Sequence, residues 1–155
     1  MYKRQVPSWA KQKDFRPLIN ARIETIDEKV SFKKLIKTTR CVAVMDGFYE
    51  WKRSKESKTP FYFTREDKKP LYVAGIFENN EFCLITEEAS QNVMDIHHRQ
   101  PVILDNNEID NYLDLKKDGK KYLSQIKKIP LNFYEISKEV NKPTNNYPSL
   151  ISKLN

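Results

Sequence analysis

The stretch CVAVMDGFYEW, residues 41–51, decides how the rest of the chain is read. Cys41 to Val44 is an apolar run of strand character. Asp46-Gly47 punctuates it, and Phe48-Tyr49-Glu50-Trp51 then sets one carboxylate among three aromatic rings. In extended backbone the side chains alternate, which puts Phe48 and Glu50 on one face and Tyr49 and Trp51 on the other. A carboxylate beside aromatic surface is either desolvated, with a raised pKa, or held by a polar partner. The first state suits a general acid or base near neutral pH. A strand glutamate standing in water is the equally available alternative.

Working outward, Lys52–Thr59 (KRSKESKT) reads as a basic hairpin tip in solvent. Phe61–Thr64, Leu71–Phe77 and Glu81–Thr86 are strand-like, with turn material between them. With the central strand they predict an antiparallel meander curved into a half-barrel or barrel. On the N-terminal side, Leu18–Glu24 is a short strand-like piece whose Asn20, Arg22 and Glu24 share a face. That face belongs either to a polar cleft or to solvent. Thr25-Ile26-Asp27-Glu28 fits a capping box and predicts a helix from about Asp27 to Lys37.

After the strands, Thr86 is placed to cap a short helix ending near Met94. Both histidines follow, in His97-His98-Arg99-Gln100-Pro101. Histidine titrates near physiological pH and serves proton transfer. Two adjacent histidines in an extended loop point apart, which makes them poor joint metal ligands. Further short helices are expected over Glu108–Leu115 and Lys120–Ile126, and a last strand over Asn132–Ile136. Near the start, Val6-Pro7-Ser8-Trp9-Ala10 places an indole after a proline, as a core residue or as a base-stacking group. No P-loop, GxGxxG or internal repeat is present.

Composition bounds the function. At 155 residues the chain suits one domain with a real core. Charged residues at 32%, hydrophobic ones at 39%, 8 Phe and 8 Tyr against 3 Gly exclude a disordered chain. The net charge of +7 favours a polyanionic partner to a moderate degree. Cys41 and Cys83 both sit in apolar strand-like runs, so buried reduced thiols in a reducing compartment are expected. Neither has metal-ligand spacing, so no zinc site and no cofactor is predicted. No run reaches the ~20 apolar residues of a membrane span, and a soluble, intracellular, cytoplasmic protein is expected.

Four motifs then stand in a definite order: VPSWA, NARIET, CVAVMDGFYEW and IHHRQPVIL, followed by ISKEVNKPTNNYPSLI. Together they resemble the SRAP family (SOS-response-associated peptidases, or abasic-site-processing proteins), from about Val6 to Ile151. The resemblance implies an α+β fold, a curved barrel-like, mainly antiparallel sheet with short flanking helices and a positively charged cleft. It implies a monomer that acts on the nucleoid, on abasic sites in single-stranded or junction DNA. There it forms a covalent DNA–protein crosslink, a thiazolidine, through an N-terminal cysteine. A peptidase activity is also proposed for the family.

By matching position, Asn20 is similar to the asparagine that orients the crosslink, and Glu50 to the acid/base carboxylate. His97 heads the family's His-x-Arg-Met-Pro pattern as the catalytic histidine, with His98 at the variable position. Arg22 and Arg99 resemble phosphate-binding or cleft-organising residues, and Thr86 a threonine facing the DNA. Pro7, Ser8 and Trp9 resemble the loop that wedges against the broken base stack. Two departures matter. Gln100 replaces the usual Met, and the chain opens Met1-Tyr2 where the family reads Met-Cys-Gly-Arg. The expectation is a single domain over residues 6–151 lacking its N-terminal segment, with 1–5 and 152–155 unassigned. The alternative function is a non-covalent single-stranded DNA-binding module.

Overall fold

The computed structural model describes residues 18–154. Nine strands are seen there: β1 (Asn20–Arg22), β2 (Arg40–Met45), β3 (Phe48–Arg53), β4 (Lys58–Arg65), β5 (Leu71–Glu78), β6 (Glu81–Glu88), β7 (Arg99–Pro101), β8 (Ile103–Leu104) and β9 (Leu131–Glu135). Four short helices accompany them: α1 (Leu35–Thr38), α2 (Gln91–Met94), α3 (Ile109–Leu113) and α4 (Gly119–Leu123). The fold is α+β, with curled, mainly antiparallel sheet and few helices, as expected.

The strands do not form one meander. A six-stranded sheet runs β1-β6-β5-β2, with β7 on the far half of β6 and β8 on the near half of β5. A separate three-stranded sheet runs β3-β4-β9. The chain therefore leaves the first sheet after β2, makes the β3–β4 hairpin in the second, and returns for β5. All pairings are antiparallel except β1 with β6.

The crossing from β2 to β3 depends on Gly47. A Cβ there would lie 2.4 Å from the Phe63 carbonyl oxygen and 2.4 Å from the Tyr62 ring. Only a residue without a side chain lets the two backbones approach so closely.

The six-stranded sheet is covered on both faces, which accounts for the nearly unbroken apolar runs of β5 and β6. Ala74, Ile76, Cys83, Ile85, Val102 and Leu104 pack toward Phe32, Leu35, Ile36, Tyr112 and Leu123. Their neighbours Leu71, Val73, Leu84 and Ile103 pack toward Phe63, Leu131 and Phe133 of the small sheet. Period-two alternation thus feeds two cores from the same strands. Phe48 stacks on Phe63 at 4.9 Å and Phe63 lies 5.0 Å from Phe133, so the inner face of the small sheet is an aromatic row.

On the helical side, Arg40 is 7% exposed and donates to the carbonyls of Ile36 (2.7 Å), Tyr112 (2.7 Å), Asp114 (3.2 Å) and Lys117 (2.5 Å). One guanidinium fork satisfies carbonyls left over where short helices end.

Local expectations were revised in three places. The helix expected over residues 27–37 is a series of turns with one helical turn, α1, at its end. Thr86 does not cap a helix. β6 continues to Glu88, and Ser90 precedes α2. Strand pairing with β1 and β7 holds Thr86 in extended backbone, overriding its capping tendency. The basic hairpin tip is shorter than expected, since β3 runs to Arg53 and β4 starts at Lys58. No helix among the described residues is long and apolar enough to cross a membrane.

Candidate active site

A cleft of about 420 Å³ opens between the two sheets. β1 and β3 are the end strands of their sheets, and the cleft lies where they approach. Asn20, Glu50, Thr86, His97 and Arg99 all line it. They come from β1, β3, β6, the turn after α2, and β7, so no one element builds the site.

Each arrives by a simple rule. Alternation along residues 20–24 buries Ala21 and Ile23 and leaves Asn20, Arg22 and Glu24 exposed. Parallel pairing sets Asn20 opposite Leu84 and Arg22 opposite Thr86, on the cleft side of the large sheet. On β6, Phe82, Leu84 and Thr86 share that side and all three reach the cleft. Glu50 shares its face with Phe48. The cleft also wraps the edge of β3, so Tyr49 and Trp51 contribute from the opposite face.

Glu50 and His97 form the polar centre. His97 Nδ1 lies 3.8 Å from Glu50 Oε2. Glu50 Oε1 accepts the backbone N–H of Trp51 at 3.0 Å, which orients the carboxylate. The same Nδ1 faces the Arg99 N–H at 3.2 Å and the Arg99 carbonyl at 3.1 Å. With a neutral ring protonated at Nε2, Nδ1 accepts from the Arg99 N–H. With a charged ring, Nδ1–H donates to the Arg99 carbonyl and the ring charge faces the Glu50 carboxylate at 3.8 Å. Either protonation state of His97 therefore finds a partner, a useful property in a group that gives and takes protons.

The two histidine rings do not point fully apart. Their centroids are 4.5 Å from each other. The chain is turned rather than extended here, with the His97 N–H donating to the Val93 carbonyl at 3.0 Å. They nevertheless serve different spaces. His98 is exposed and lines a second groove of about 640 Å³ with Arg22, Glu24, Lys29 and Arg99.

Arg99 borders both spaces. It makes a bidentate ion pair with Glu24, at 2.8 and 2.9 Å, and donates to the Thr86 carbonyl at 2.7 Å. The hydrogen bonds from Arg99 hold the Glu24 carboxyl below its ordinary range. The geometry is that of a residue that fixes the cleft wall. The second groove carries Arg22 and Lys29 beside Glu24 and Glu88, while the cleft is largely apolar.

Gln100 is 2% exposed, and both ends of its amide are engaged. Its oxygen accepts from the Ser90 N–H and hydroxyl, both at 2.9 Å, and its nitrogen donates to Glu87 at 2.9 Å. Burial nevertheless pushes the Glu87 carboxyl up. This network straps β7 to the start of α2 and so steadies the turn that carries His97.

Neither cysteine lines the cleft. Cys41 packs against Gly75, and burial pushes its thiol up to about 11. Cys83 donates to the Leu18 carbonyl at 2.8 Å. Pro7, Ser8 and Trp9 lie outside the described residues. Sequence reasoning missed Met45, Phe82 and Leu84 as cleft walls. Alternation from Thr86 would have found Phe82 and Leu84, because they stand four and two residues before it.

Comparison with known proteins settles the family. The model of the SOS response associated peptidase (SRAP) family matches residues 4–143. The chain belongs to the SRAP family. Among curated relatives, this SRAP chain is 34% identical to abasic site processing protein YoqW of Bacillus subtilis over 161 residues, covering 94% of this chain and 72% of that one. It is 33% identical to abasic site processing protein HMCES of Gallus gallus, covering 94% and 54%. A solved structure of a protein from Bacteroides thetaiotaomicron is 27% identical, with a TM-score of 0.80 over 88% of this chain and 66% of that one.

Proposed function

We propose that the cleft processes abasic sites in single-stranded or junction DNA, with Glu50 and His97 as its proton-transfer pair. The observation that carries this reading is the convergence of Asn20, Glu50, Thr86, His97 and Arg99 on one cleft with apolar walls. The names of relatives that match most of the chain point to the same substrate.

An abasic sugar opens to an aldehyde. An amine adds to that carbon and, after loss of water, gives an imine. A thiol adding across the C=N bond closes a five-membered ring. Each step moves a proton, and the cleft supplies both directions of transfer. Nε2–H of His97 donates to the sugar ring oxygen as the ring opens. Glu50 takes a proton from the attacking nitrogen and returns one on reversal. Asn20 orients the adduct through its amide, and Arg22 in the adjoining groove meets a strand phosphate.

Among the described residues the cleft lining includes no cysteine and no lysine. None of the described lining residues is therefore itself the amine or the thiol of a covalent step. The same observation favours, as a second reading, a module that holds abasic DNA without bonding to it. Incubation with an abasic oligonucleotide, followed by native and denaturing gels, separates the two. A boiling-resistant shifted band supports the covalent reading. A native complex that dissolves on boiling supports the second. Equal binding of abasic and intact strands overturns both.

A further inference from the structure

We propose that Asn141 is a positioning residue for the cleft: its side-chain carbonyl fixes the Trp51 indole, and through it the cleft wall beside Glu50 and His97. The inference rests on the abasic-site reading of that cleft. Trp51 lines the cleft from the outer face of the small sheet. The indole has one polar group, a donor. That Nε1–H donates to Asn141 Oδ1 at 2.8 Å. The Nζ of Lys58 stands 4.7 Å from the ring centroid, and the Tyr49 ring 6.4 Å away. The indole is thus held at its polar edge and over its ring.

Asn141 is itself well placed to hold something. It ends the short helical segment Lys138–Asn141, which leaves β9 through Ile136, a residue with no exposed surface. The Ile136 N–H donates to the Pro60 carbonyl at 3.1 Å, and Pro60 stands opposite Trp51 in the strand register. Ser137 accepts from the Glu139 N–H at 3.2 Å, and Asn145 donates to the Glu139 carbonyl at 2.9 Å. The acceptor is therefore tied to the strand that pairs with β3.

With its donor engaged on Asn141, the indole offers the cleft only hydrocarbon. A fixed indole holds the cleft to one width, which the proposal assigns to a bare sugar rather than to a nucleotide that still carries its base. A released indole swings on two side-chain torsions, and the cleft then adapts to either. Asn141 acts on discrimination rather than on chemistry, and its contact, at an exposed position, contributes little to stability.

The test uses Asn141→Leu, which removes the acceptor at similar size, and Asn141→Asp, which keeps an acceptor oxygen. Affinities are measured for a single-stranded oligonucleotide with one abasic site and for the same strand intact. The Trp51 indole N–H resonance, identified with Trp51→Phe, is followed beside them. Asn141→Leu is expected to lose about fivefold in abasic preference, near the worth of one hydrogen bond, with a shifted and broadened indole resonance and a near wild-type melting temperature. Asn141→Asp is expected to retain both. An unmoved resonance or unchanged preference in Asn141→Leu, or equal losses in both variants, overturns the proposal. If the unaltered protein has no abasic preference, the cleft reading fails instead, and the resonance alone decides the role of Asn141.

Discussion

A group proposed to transfer protons needs a partner for each of its states, and His97 Nδ1 has the Arg99 N–H and carbonyl beside it. Glu50 and His97 are 47 residues apart in sequence, yet their side chains lie 3.8 Å apart. Replacing Glu50 with Gln keeps the shape and removes the proposed base. About a hundredfold slower reaction of abasic DNA is expected, with native binding retained. His97→Ala is expected to slow sugar opening to a similar degree, and His98→Ala to leave it nearly unchanged. Single-turnover assays on an abasic strand check all three variants. Equal losses for the two histidines would mean that His97 has no role that His98 does not share.

Glu24 and Arg99 carry a pH dependence. Because Arg99 lowers the Glu24 pKa, the ion pair contributes fully above the ordinary glutamate value of 4.5 and is lost as pH falls through the depressed one. Glu24→Gln should therefore be less stable than the unaltered protein at neutral pH, with the gap closing in acid. Melting temperatures measured across pH 3–7 for both proteins decide this. A gap independent of pH would mean that the ion pair contributes nothing. Asn20, Glu50, Thr86, His97 and Arg99 could be named from short motifs, and the structure brings those five to one cleft. That Arg99 is satisfied by Glu24 was not legible, since nothing in two separated segments states which cation meets which anion.

At the scale of elements, the β2–β3 crossing matters most. Asp46-Gly47 was read correctly as punctuation, but not as a passage between sheets. Apolar runs report burial, and they do not name the strand they pair with. The expected meander failed for that reason. The expected helix over residues 27–37 failed because capping and periodicity are weak beside the packing of Phe32, Leu35 and Ile36 into the core. Gly47→Ala is expected to destabilise the fold by about 2–4 kcal/mol, because the added methyl meets backbone that has no room to yield. Urea unfolding measures the cost. Activity should fall as well, since the displaced strand is the one that carries Glu50. A stable, fully active Gly47→Ala protein would show that the sheets can separate locally without harm.

At the scale of the molecule, a net charge of +7 is spread over a surface whose central cleft is mostly apolar. On the proposed reading, strand phosphates would be met at the flanks, by Arg22, Lys29 and the β3–β4 hairpin. About three phosphate contacts would give a slope near −2 in a plot of log affinity against log salt for a single strand. Fluorescence anisotropy at several salt concentrations checks this. A flat plot would mean that binding is carried by the apolar walls alone.

The parallel pairing of β1 with β6 has a consequence in time. Asn20 stands opposite Leu84, so the two strands that meet there are 64 residues apart along the chain. The hairpins β3–β4 and β5–β6 close short loops and can form early, whereas β1 must wait for a finished β6 before it has anything to join. The order of events in refolding is therefore written into the topology: sheet first, binding competence last. In a stopped-flow experiment, recovery of abasic-DNA binding should lag behind recovery of the far-ultraviolet strand signal. The substitution Ala21→Gly, which loosens β1 and removes one buried methyl from the core beneath it, should lengthen that lag.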